Sequence, residues 1–134
     1  LSGDLIRIRI GNLTKGDIFL RRRAAEGLGF KGLQEVVPAL AISSQDGDTE
    51  VRRLSVRALG KSRINKALPH LLARLKDTQM SVRWEVLNFF PTSMLDKATD
   101  DLVRLLGDPE PAIRVKAAQL LEEKLSEKAL KKKQ

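Results

Sequence analysis

Apolar residues recur along this chain at spacings of three and four, in blocks separated by short polar turns, as in a string of short amphipathic helices. Residues 48–77, DTEVRRLSVRALGKSRINKALPHLLARLKD, show the pattern most clearly. Val51, Ser55, Val56, Ala58 and Leu59 form the inward stripe of a first helix that Asp48 or Thr49 caps. Ile64, Ala67, Leu68, Leu71, Leu72 and Leu75 form the stripe of a second, with the break between them placed at Gly60.

Weaker copies lie on both sides. Residues 6–10, IRIRI, alternate with period two as a strand would, but a shift of 31 lays residues 4–13 on 35–44 and makes them a second helix. Asp17 caps a helix through about Leu28, and Gly29 is placed to stop it by supplying φ > 0. The helix over 33–43 contains Pro38, which must start or kink it. Further helices are expected over 78–90 and 95–106, the second burying Ala98, Leu102, Val103 and Leu106. Residues 112–125 carry Ile113, Ala117, Ala118, Leu120 and Leu121, and SEKALKKKQ (126–134) begins another second helix.

The blocks are copies of one unit. Arg21, Arg52, Arg83 and Arg114 stand 31 residues apart, each preceded by an apolar residue. Asp46, Asp77 and Asp108 keep the same step, as do Gly29 with Gly60 and Pro38 with Pro69. Coincidences at a single offset define a repeat, and a helix pair that cannot bury its apolar faces alone must stack on its neighbours. The chain therefore reads as one repeat domain: a half-repeat over 1–14, repeats over 15–45, 46–76 and 77–107, a partial repeat over 108–130 and a basic tail over 131–134. Partial units at both ends lead us to expect a piece of a longer protein.

Composition narrows the partners. The 134 residues are 42% apolar but only 4% aromatic, which suits aliphatic helix packing. With no Cys, disulfides and thiolate zinc sites are excluded, and a cytoplasmic setting is expected. No apolar run is long enough for a membrane-spanning helix. The net charge of +8 raises nucleic acid as a partner, but residues 93–123 are net acidic and interrupt any basic stripe.

With Val51–Arg52, the Val56-Arg57-Ala58-Leu59-Gly60 ending and the Ala67-Leu68-Pro69 restart, residues 48–77 resemble HEAT repeats, and within them the short subtype named after phycobilisome lyases. The resemblance extends over nearly the whole chain. It implies an all-α fold, a right-handed α-solenoid of antiparallel helix pairs, with second helices lining the concave face. It implies scaffolds, adaptors and bilin-lyase subunits as functions. Lys15 stands where the Asp series calls for Asp, and Pro91 and Glu122 where it calls for Gly. HEAT-based iron hydroxylases need several His-Glu pairs, which a single histidine excludes.

The Arg row reads as structural rather than as a ligand-binding ladder. An Arg near a helix start can bond neighbouring carboxylates or turn carbonyls, with the Asp six residues earlier as its natural partner. Lys66, Lys97 and Lys128 form a second row at the start of each second helix, where cations oppose the helix dipole and packing does not ask for them. His70, the only histidine, lacks the companions of a metal site or an acid–base pair, so it reads as a solvated surface residue. Trp84, the only tryptophan, falls in register with Arg22, Arg53 and Val115, positions expected to be largely exposed, and reads either as an interface anchor or as packing beside Phe89 or Met80. The basic run Arg21, Arg22, Arg23 and the tail lysines read as solvated charge. No catalytic residue, metal site or cofactor is expected. The leading function is a non-catalytic module binding another protein with an acidic surface, through Lys66, His70, Trp84, Lys97 and Arg104. A phycobilin-handling, lyase-like subunit is the alternative, and nucleic-acid binding on a basic face the third.

Overall fold

A computed structural model describes residues 2–132. Leu1 of the opening half-repeat, and Lys133 and Gln134 of the basic tail, lie outside them. Every regular element among the described residues is helical. The chain forms two compact units, Leu1–Phe90 and Pro91–Gln134.

The first unit contains α1 (Gly3–Lys15), α2 (Ile18–Glu26), α3 (Val37–Ser43), α4 (Thr49–Ser62), α5 (Leu68–Arg74) and α6 (Met80–Phe89). The IRIRI stretch is helical, as the register requires. First helices stack in sequence, α2 on α4 and α4 on α6, while α1 packs on α3 and α3 on α4. Side chains define the starts: Asp17 accepts from the Leu20 N–H and Asp48 from the Val51 N–H. Each of α3 and α5 is preceded by one 3-10 turn, Gln34–Val36 and Asn65–Ala67, and Pro38 and Pro69 occupy the first α turn. Proline therefore starts these helices, because a first-turn N–H has no helical acceptor to lose.

The glycines act differently from the expectation. α2 ends at Glu26, and α4 runs through Gly60 to Ser62. Left-handed backbone falls instead at Gly32 (φ 79) and Arg63 (φ 53), themselves 31 residues apart. Gly29 and Gly60 serve close approach. A Cβ at Gly29 would lie 3.2 Å from the Ala58 Cα, and one at Gly60 would lie 2.9 Å from the Phe89 Cβ and closer still to its carbonyl oxygen. A side chain at Gly60 would wedge α4 away from α6, and one at Gly29 would press the segment after α2 against α4.

Leu13, Leu28, Val36, Leu40, Val51, Val56, Leu59, Leu71, Leu75, Val82 and Val86 are fully buried. Ile64, Leu68 and Leu72, expected in the core, are half-buried.

The second unit contains a 3-10 segment, Thr92–Ala98, then α7 (Thr99–Leu105) and α8 (Pro111–Lys132). α7 packs on α8 and buries Leu102 and Leu105. Val103 (53% exposed) and Leu106 (42%) do not join the core, contrary to expectation. They lie one residue round the helix from the buried pair, and a single packed wall covers one stripe. α8 also departs from the repeat. Residues 126–132 continue it rather than opening a second helix, since Glu122 replaces the glycine and SEKALKK supplies good helix formers with no left-handed position. Ala118 and Leu121 are half-buried on it.

Candidate functional site

The Arg row is resolved as a ladder between successive repeats. Arg52 donates through Nε and Nη2 to the Asp77 carboxylate, at 2.9 and 3.2 Å, and through Nη1 to the Asp46 carbonyl at 3.0 Å. Arg21 does the same to the Asp46 carboxylate, at 2.9 and 3.3 Å, and to the Gly16 carbonyl. The carboxylate partner thus lies 25 residues later, in the next repeat, and only backbone carbonyls come from five or six residues before. The carboxylate partner differs from the expected one, while the bonds to turn carbonyls are as expected. Arg83 and Arg114 likewise donate to turn carbonyls, those of Asp77 and Asp108. The Oδ1 of each turn aspartate, which in Asp46 and Asp77 also accepts from the arginine Nη2, accepts an N–H two residues on: that of Asp48, Gln79 and Glu110. A bidentate guanidinium suits this clamp because its fork matches a carboxylate.

Further arginines are also engaged internally. Arg22 makes two 2.9 Å bonds to Asp48. Arg53 pairs with Glu50 and Glu85, and Arg57 reaches Glu85 at 2.5 Å while lying over the Phe89 ring. Arg22 and Arg53 are consequently half-buried rather than largely exposed, and the basic run 21–23 is not simple solvated charge. Glu85, buried between two arginines, went unrecognised because the stripe pattern alone makes it a surface residue.

These bonds set the protonation of the site. Burial works to raise the Asp77 carboxyl, but the Arg52 hydrogen bonds, the Gln79 N–H and the charges of Arg52 and Arg74 outweigh it and hold the group below its ordinary value. Asp48 is lowered mainly by its bonds to Arg22, and Glu50 by those to Arg53, whose own pKa is raised in return.

What remains unneutralised in the first unit is cationic. Residues 1–90 hold sixteen Lys and Arg against nine Asp and Glu, a net of +7. Two adjoining hollows of about 300 Å³ each lie between the second helices. One is lined by Gln34, Val37, Pro38, Ile64, Lys66 and His70, and the other adds Arg63 and Asn65. The structure therefore brings Lys66 and His70 together. Lys66 is exposed and His70 half-exposed.

The remaining candidates stand elsewhere. Trp84 is half-buried on α6, less exposed than its register suggests. Lys97 is exposed in the second unit, and Arg104 there sits 3.4 Å from Asp101. Lys128 lines a smaller hollow with Asp96, Lys124 and Glu127. Arg63 was missed by sequence reasoning, although its register with Gly32 was there to be found. Among the described residues, no group of three His, Cys, Asp or Glu is placed to hold a metal ion, and no helix is long and apolar enough to cross a membrane.

Comparisons with known proteins agree on the fold. No curated protein matches. Among the solved structures that match is the complex of CpcE and CpcF of phycocyanin lyase from Nostoc sp. PCC7120, with a TM-score of 0.62 and 21% identity, over 92% of this chain and 65% of that one. That likeness shows a shared all-α solenoid fold, of which this chain spans less than two thirds of the length of the chain it matches. The family model for HEAT repeats matches residues 10–89, more than half of the sequence, and the chain belongs to the HEAT-repeat family.

Proposed function

We propose that this chain is a non-catalytic HEAT-repeat module, a scaffold or adaptor that binds another protein presenting an acidic surface. One observation carries the reading. The carboxylates Asp46, Asp48, Glu50, Asp77 and Glu85 are all engaged by arginines of the same unit, so its outward charge is left cationic. Complementary charge of that kind speeds association and selects partners. A native pull-down tests it. The expected outcome is retention of a discrete protein whose release follows rising salt, and a chain that stays monomeric and retains nothing contradicts the reading.

The likeness to the phycocyanin lyase complex favours a second reading, a lyase-like subunit that handles a phycobilin. Its propionates would meet the same cations. Mixing the chain with phycocyanobilin, alone and with a partner subunit, tests this through the visible spectrum. An absorbance shift supports it, and an unchanged spectrum in both mixtures rejects it.

A further inference from the structure

We infer that the groove between α3 and α5 docks an acidic peptide segment of the partner, one carrying an aliphatic side chain beside a carboxylate. The inference rests on the protein-binding reading above and narrows it to one place. The chemistry of the groove has two parts. Its floor is apolar, from Val37, Pro38 and Ile64, and its volume suits side chains of a short segment rather than a folded domain. Its rim carries Arg63 and Lys66, with His70 beyond.

The charge at this rim is unanswered within the protein. Neither Arg63 nor Lys66 has a carboxylate partner among the described residues, whereas the ladder arginines all make bonds. Residues 63–75 contain no acid, and Glu35 is the single one in 33–44. It is exposed and does not line either hollow.

Arg63 supplies an independent argument. It holds a left-handed backbone (φ 53, ψ 30) where the preceding repeat uses Gly32. A side chain with a Cβ is disfavoured in that conformation, and this one is exposed, so packing does not explain the choice. A cation placed at the mouth of a groove, against the backbone's own preference, fits a role in recognition.

A displayed library of random peptides, panned against the whole chain, provides the probe. Enriched peptides are expected to pair Asp or Glu with Leu, Ile or Val, and a synthetic copy should lose about tenfold or more in affinity on Lys66→Glu. Arg63→Gly separates the two parts of the argument: it should raise the melting temperature while weakening the peptide. Lys97→Glu, in the second unit, should leave binding unchanged. Enrichment without acids, or affinity indifferent to Lys66→Glu and Arg63→Gly, overturns the groove assignment. If that peptide instead responds to Lys97→Glu or Arg104→Glu, the groove assignment falls while the protein-binding reading stands. Failure of both the panning and the native pull-down removes both.

Discussion

At Gly60 a Cβ would sit 2.9 Å from the Phe89 Cβ and 3.0 Å from its carbonyl carbon, and the backbone of α6 cannot yield as a flexible side chain can. Gly60→Ala should therefore cost about 2–3 kcal/mol in urea unfolding, the range of overpacking in a close-fitted interface. Gly29→Ala, at 3.2 Å from the Ala58 Cα, should cost less, about 1 kcal/mol. Gly11 has open space around it inside α1, so Gly11→Ala should stabilise by about 0.5–1 kcal/mol. Asp77 is the most deeply buried of the carboxylates held below their ordinary range, with a side chain 2% exposed. Its folded pKa is lowered, so the unfolded chain binds the proton more readily. Its contribution is present above the ordinary Asp range, about pH 4, and is lost as pH falls through the depressed value. Asp77→Asn should cost about 3 kcal/mol at neutral pH and flatten the acid limb of the stability–pH curve.

The helix order, the proline starts and the Asp17 and Asp48 caps were legible because each depends on local chemistry and on the 31-residue register. Helix ends were less so. The residue that stops α4 is Arg63 rather than Gly60, and nothing in its side chain announces a left-handed backbone. The role of Gly60 depends on Phe89, a residue of another helix, which the pattern of one helix cannot reveal. The same limit applies at α7, where four apolar residues fall within one turn and a half and the sequence does not say which stripe meets α8. Leu105→Ala should cost about 2–4 kcal/mol, as a fully buried leucine does, and Leu106→Ala less than about 1. Thermal unfolding of the two variants side by side checks the assignment, and equal losses would refute it. Of the candidate site, Lys66 was legible as one of a row of cations that packing does not ask for, and His70 as the single histidine. Arg63 and the groove floor were not, because they need two second helices placed beside each other.

For the molecule as a whole, the residues of the ladder and those of the groove divide the work. Arg21, Arg52, Asp46 and Asp77 recur because they join one repeat to the next, and Lys66, Arg63 and His70 take no part in that joint. The central claim is that the Arg row is a fastening between repeats rather than a ligand ladder. A double-mutant cycle on Arg52 and Asp77, with alanine at each position and unfolding free energy as the readout, tests it most directly. The ladder predicts a coupling of about 1–3 kcal/mol between the two substitutions. Losses that simply add, within about 0.5 kcal/mol, would contradict it.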